Sequence, residues 1–349
     1  MKKYYLPGEY EKQRATVLLF PSRADVWRKN AVPAAEMIVG LANTIADYEP
    51  VILGILPELY DSVLATHKFN ENVKTVKMKY DDSWPRDSVS SVIVGEQSYI
   101  HSYQFNAYGG ELYAGWDNDN SLDEQVAKIF NFEIKNSPIT LEGGNMLPDG
   151  NGTLFAVKDA IVNDNRNPHM TVDEIEKHLK ESTCCEQIIW LPRGLKYDET
   201  GGHVDNILAF ADSKTLLISY TDDVNDEQYE VVQEIFDIVS EARNIDGEKY
   251  NIVKLPIPPL HYRTEDECEG MVAVEGSFPR EQGDCVLETY INFALVNGAV
   301  IVPQFDIPQD TEALEIIAEV FKDRKVIPFN AREATLGGGG FHCLTKHIN

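Results

Sequence analysis

The sequence predicts an α/β fold built from five repeated units, and three observations carry that prediction. Short apolar runs rich in β-branched residues alternate with helical stretches along the whole chain. Five polar segments recur within β-like surroundings at comparable intervals. No Pro/Ser linker, charge block or low-complexity tract marks a boundary, so residues 1–349 read as a single domain.

Taken in order, strands are predicted at RATVLLF (14–20), PVILGIL (50–56), SSVIVG (90–95), GTLFAV (152–157), TLLISY (215–220) and GAVIVP (298–303). Helical spacing falls at residues 32–48, 121–132, 172–182, 226–243 and 311–322. The third of these opens TVDE, and Thr171 to Glu174 has the spacing of a capping box. The polar segments are DDSWPRDS around Asp87, LEGGNMLPDGNGT at Glu142, DETGGHVDN around His203, ETYINFALVNG near Asn292 and LGGGGFHC at Cys343. Their separations are 55, 61, 89 and 51 residues, and the long interval holds an inserted excursion at about 260–284. Units of this length, each delivering one polar-tipped strand, suggest a propeller or ring around a central site.

Composition narrows the function. With 57 acidic against 31 basic residues the formal charge is -26, which opposes nucleic acid and anionic membranes as partners. A small cation is compatible, although acidity is more often a solubility property. The opening MKKYYLPGEYEKQ lacks the apolar stretch of a signal peptide, and no run is long enough to span a bilayer, so a cytoplasmic location is expected. Five cysteines at irregular spacings (184, 185, 268, 285 and 343) read as reduced thiols rather than a disulfide framework. Cys285 reads as strand packing and the Cys184-Cys185 pair as a structural helix end.

Each motif has a plain reading beside the chemical one. WPRD alone is a surface Arg86-Asp87 pair. DGNG is a hairpin turn, which explains Gly150 and Gly152 but leaves Glu142 standing ahead of two bare glycines. On a strand, His203 and Asp205 would share one face. A His-x-Asp pair also suits metal, but no Cys-x-x-Cys or His-Glu-x-x-His accompanies it, and His342, Cys343 and His347 do not have zinc spacing, so neither metal nor cofactor is expected. Gly337 to Gly340 lack the Gly-Lys-Ser/Thr ending of a phosphate loop. Four glycines in a row cost conformational entropy. Close approach of the backbone to a reaction centre at Cys343 would offset that cost.

A cysteine and a histidine alone suggest acyl transfer or peptide hydrolysis. Here the carboxylates outnumber what such a site needs, and spare aspartates suit a planar cation with several N–H donors, the guanidinium. The constellation points to a guanidine hydrolase acting through a thiolate.

The segments LPGEYEKQRATVLLFP, FNAYGG, WDNDN, LEGGN, DGNGT, RNP, ETGGHVDN, VEGSFPREQGD, YINF, NGAVIVPQF and GGGGFHCLT together resemble the agmatine deiminases of the guanidine-modifying (pentein) superfamily, within the bacterial-type peptidylarginine deiminases. The resemblance implies a five-bladed α/β propeller, a small cationic guanidine as substrate, a homodimer and a place in polyamine metabolism. It implies Cys343 as nucleophile, His203 as general acid/base, Glu142 as a carboxylate partner at the guanidinium, and Asp87 and Asp205 as the remaining clamps. It further implies Trp84 as a channel wall and Glu199 facing the far amine. RDSVS replaces a small residue and Gly-Pro, Pro85 is unexpected, and Gly340-Phe341 stands where the family has Asn-Ile. Three alternatives stay open: a peptidylarginine deiminase, a free-arginine deiminase using Arg263 or Arg280 for the α-carboxylate, and a catalytically silent guanidine-binding protein.

Overall fold

The computed structural model describes residues 3–349. All six apolar runs form strands, and all five helical stretches form helices, at Val32–Ala46, Leu122–Phe130, Val172–Thr183, Tyr229–Glu241 and Gln309–Val320. The fold is α/β. Threonine 171 caps its helix as expected: its hydroxyl accepts from the Glu174 backbone, and the Glu174 carboxylate accepts from the Thr171 N–H.

Five sheets share one strand pattern. In the third, Leu147–Pro148 pairs antiparallel with Thr153–Val157, which pairs parallel with Gln187–Leu191. The fourth repeats this with Leu208–Phe210, Thr215–Tyr220 and Asn251–Pro256, and the fifth with Ala294–Val296, Ala299–Gln304 and Lys325–Asn330. The second is Val92–Gly95, Tyr99–Gln104 and Glu133–Thr140, extended by Tyr4–Tyr5. The first joins distant parts of the chain, with Lys346–Ile348 antiparallel to Ala15–Leu19, then Val51–Ile55 and Val73–Lys77 in parallel. A parallel pair needs a crossover; each sheet has one supplied by one of the five long helices, and the second parallel pair of the first sheet is crossed by the short helix Tyr60–Thr66. The excursion adds a ribbon of His261–Tyr262 with Cys285–Val286 and a 3-10 turn at Asp266–Cys268.

Inner strands such as Ala15–Leu19, Val51–Ile55 and Thr153–Val157 are buried along their whole length, which is why they read as unbroken apolar runs. The outer strands Val73–Lys77 and Lys325–Asn330 mix half-buried and exposed positions without regular alternation and carry mixed sequences. At the predicted hairpin, Asp149 Oδ1 accepts from the N–H groups of Asn151, Gly152 and Thr153, all at 2.8 Å.

Every polar segment lies just ahead of the first antiparallel strand of a sheet. Asp87 is in the short helix Pro85–Ser88, Glu142 precedes the turn Gly143–Asn145, and His203 precedes the turn Val204–Asn206. Asn292 precedes Ala294–Val296, and Cys343 is in the short helix Phe341–Leu344. His203 and Asp205 are therefore not on a strand: a 3-10 turn, entered through left-handed Gly201 and Gly202, carries Asp205. Pro85 takes the first position of its helix, where its missing N–H costs nothing. Among the described residues, no helix is long and apolar enough to cross a membrane.

Candidate active site

Cys343 is held by its own backbone. The N–H groups of His342 and Cys343 both donate to Asn292 Oδ1, at 3.0 and 3.3 Å. The Asn292 amide also lies 3.3 to 3.4 Å from the Cys343 sulfur, and Asp205 Oδ2 is 3.6 Å from it. The preceding glycines are crowded. A Cβ on Gly340 would stand 2.4 Å from Asn292 Oδ1, and one on Gly339 would stand 2.7 Å from the Trp84 ring and 3.2 Å from Cys343 Sγ.

Around the sulfur, Asp87 Oδ1 accepts from the Gly144 N–H at 2.8 Å and Oδ2 from the Tyr108 hydroxyl at 2.9 Å. Glu142, fully buried, accepts from Arg166 Nε at 2.7 Å. His203 lies between the two acids, its Nδ1 3.6 Å from Asp87 Oδ1 and its Nε2 3.8 Å from Glu142 Oε2. Gly144 is the point where these groups close together: a Cβ there would fall 2.6 Å from His203 Nδ1, 2.7 Å from Asp87 Oδ1 and 3.0 Å from Asp205 Oδ2. That accounts for Gly144, and a Cβ on Gly143 would stand 2.0 Å from the Arg86 carbonyl oxygen.

The electrostatics follow from burial and from crowded carboxylates. Burial, then the negative charges of Asp205 and Asp87, push the Cys343 thiol well above its ordinary range. Burial alone would keep His203 neutral, but Asp87 and Glu142 raise its pKa to about 9. Burial, with Asp205 and Glu142 nearby, raises Asp87 against the pull of His203. For Glu142, Arg166 and His203 outweigh burial and hold the pKa down.

The five chemical positions read from the sequence thus lie close together around His203, Gly144 and the sulfur, and Asp87 and Cys343 among them line a cleft. Trp84 lines the same cleft, stacked on Trp27 with centroids 5.4 Å apart. Glu199 also reaches the cleft, but its carboxylate is engaged by Arg280 and lies 3.8 Å from Arg263. Those arginines donate to the carbonyls of Gly337 and Leu336, so the excursion braces the glycine run. Arg86 is no surface partner of Asp87: it is buried and bonds Glu9 at 2.6 Å. Tyr108, Arg166, Glu9 and Asp82 on the cleft wall have no assigned role in the sequence reading, which marks Asn292 only as the centre of a polar segment and weighs His342 only as a metal ligand. Tyr108 and Arg166 lie inside FNAYGG and RNP, the only local signal for either.

An α/β frame that gathers a thiol, an imidazole and three carboxylates at one buried point has the arrangement of the guanidine-modifying enzymes. The chain belongs to the Porphyromonas-type peptidyl-arginine deiminase family, whose model matches residues 5–348. It is similar to the agmatine deiminase of Pseudomonas fluorescens, 37% identical over 350 residues that cover 98% of this chain and 95% of that one. The agmatine deiminase of Pseudomonas aeruginosa is 36% identical over 349 residues, again with 98% and 95% coverage. Among solved structures, an agmatine deiminase of Enterococcus faecalis, described as catalysing its reaction, superposes with a TM-score of 0.95 at 28% identity, covering 99% of this chain and 96% of that one.

Proposed function

We propose that this protein is an agmatine deiminase, hydrolysing agmatine to N-carbamoylputrescine and ammonia through an amidino-thioether on Cys343. Full-length similarity to enzymes of that activity supports the substrate. The observation that carries the site is a set of buried polar atoms around the sulfur, Asp205 Oδ1, Glu142 Oε2 and both His203 nitrogens, with no hydrogen-bond partner in the protein. A planar guanidinium brings five N–H donors to such a set.

Asp87, Asp205 and Glu142 fix the guanidinium plane beneath the sulfur. The raised thiol is neutral before substrate arrives, and a cation within a few ångströms lowers its pKa, so substrate binding drives the thiol proton out to solvent. The thiolate adds to the central carbon. His203, an imidazolium at neutral pH, protonates the departing nitrogen, and ammonia leaves. The neutral imidazole then takes a proton from water, hydroxide adds to the amidino carbon, and collapse of the second adduct expels the thiolate, which takes up the proton of the adduct's hydroxyl. Trp84 walls the aliphatic chain, and Glu199, sharing its charge with Arg280, faces the far ammonium with Asp82. The same reading makes residues 1–349 one catalytic domain, its five like-patterned sheets the blades of a propeller. It takes the enzyme as a cytoplasmic homodimer in polyamine metabolism, as the resemblance implies.

Mass spectrometry of protein mixed with agmatine and quenched in acid tests the chemistry: an adduct is expected on the Cys343 peptide. Ammonia release from agmatine, arginine and a short arginine peptide tests the substrate. Faster turnover of arginine or the peptide than of agmatine overturns the assignment.

A further inference from the structure

Behind Asp205 lies a buried series of charges that the reaction above does not use. His342 Nδ1 is 2.7 Å from Asp205 Oδ2, the oxygen that faces the Cys343 sulfur. On the other side of the ring, His342 Nε2 is 2.6 Å from Glu9 Oε2. Glu9 Oε1 accepts from Arg86 at 2.6 Å, and Arg86 Nε donates back to the His342 carbonyl at 3.1 Å. His347 Nδ1 stands 3.3 Å from Arg86 and 3.7 Å from Glu9.

An ionised carboxylate only accepts hydrogen bonds, so a ring placed between two of them satisfies both only with a proton on each nitrogen. The charged and titratable groups around this ring are Glu9 from the N-terminal segment, Arg86 from the short helix, His347 and Lys346 from the last strand, Asp205 from its turn, and the neighbouring Cys343. Burial and Arg86 oppose the imidazolium, while Glu9 and Asp205 outweigh them and raise its pKa.

We propose that His342 is a positioning residue for the deimination: clamped as an imidazolium between Asp205 and Glu9, it fixes the Asp205 carboxylate and offsets that charge beside the sulfur. The inference rests on the deiminase reading for its purpose, and on geometry alone for its physics. A negative charge beside a thiol opposes thiolate formation. A cation 2.7 Å behind that charge reduces the opposition, so less is left for the substrate to overcome.

Two variants separate charge from shape. His342→Asn keeps a donor where Nδ1 stands but carries no charge, and Glu9→Gln weakens the imidazolium from the far side without touching the pocket. The substrate-free readout is the pH midpoint of Cys343 alkylation by iodoacetamide, followed on the Cys343 peptide by mass spectrometry. In His342→Asn the midpoint is expected to rise by about one pH unit, with kcat/KM for agmatine at pH 7 down about tenfold. Glu9→Gln is expected to move both in the same direction by less. Midpoints within about 0.3 unit of the parent in both variants would overturn the proposal and reduce His342 to a structural residue. A shifted midpoint in a protein whose parent form does not turn over agmatine supports the charge role and overturns the deiminase reading instead.

Discussion

Two buried charge clusters meet at Asp205, and they follow opposite rules. Behind it, Glu9, Arg86 and His342 are paired at 2.6 to 2.7 Å. In front of it, His203 stands 3.6 and 3.8 Å from its acids, and one oxygen each of Asp205 and Glu142 has no hydrogen-bond partner in the protein. Buried charges normally pair because desolvation is costly. The rear cluster obeys and anchors three segments of the chain. The front cluster departs from the rule where chemistry is proposed, and incomplete pairing is what a cationic ligand can complete.

The sharpest way to break the front is Cys343→Ser, which removes the proposed nucleophile and leaves the acids; ammonia release from agmatine is expected to fall by at least about 10⁴-fold. Breaking the rear should instead cost stability. Arg86→Met takes the ion pair from Glu9 Oε1, leaving Glu9 its contact with His342, and is expected to destabilise the fold by about 3 kcal/mol, read from urea unfolding. Gly144→Ala drives a methyl into His203, Asp87 and Asp205 together, and kcat/KM for agmatine is expected to drop by about 10²-fold. The front has its own pH signature. With the imidazolium of His203 as the proposed proton donor, kcat should hold below, and decline as pH rises through, about 9. Because that pKa is raised on folding, the stability it contributes is present in full below the unfolded value of about 6.5 and lost across the same upper window. A pH series of turnover and of thermal unfolding checks both. The smallest effect is a control outside both clusters: Thr171→Ala removes a helix cap, costs about 1 kcal/mol in thermal unfolding, and leaves agmatine turnover unchanged.

Local sequence made the α/β class legible, since buried inner strands and amphipathic helices each write a period into the chain. Outer strands such as Val73–Lys77 write no clear period, because one edge faces solvent. Asp87, Glu142, His203, Asp205 and Cys343 stand out because they interrupt apolar surroundings, three of them beside glycines. Their supports do not stand out. The Glu9 to His342 contact spans 333 residues and the Arg86 to Glu9 contact 77, and no spacing rule reaches that far. For the same reason Arg86 reads as a surface partner of Asp87 until the fold turns it toward Glu9. Glu199 is a related case, since nothing near it in sequence announces that Arg280, 81 residues on, shares its charge.

The strand Lys346–Ile348 lies against Ala15–Leu19, so one sheet unites the two extremes of residues 3–349. While the ribosome is still adding residues short of 341, a nascent chain can hold the acids and the imidazole but neither the sulfur nor the strand that locks it in place. The proposed nucleophile therefore enters the chain almost together with the strand that closes the first sheet, and a chain cut before residue 341 has neither.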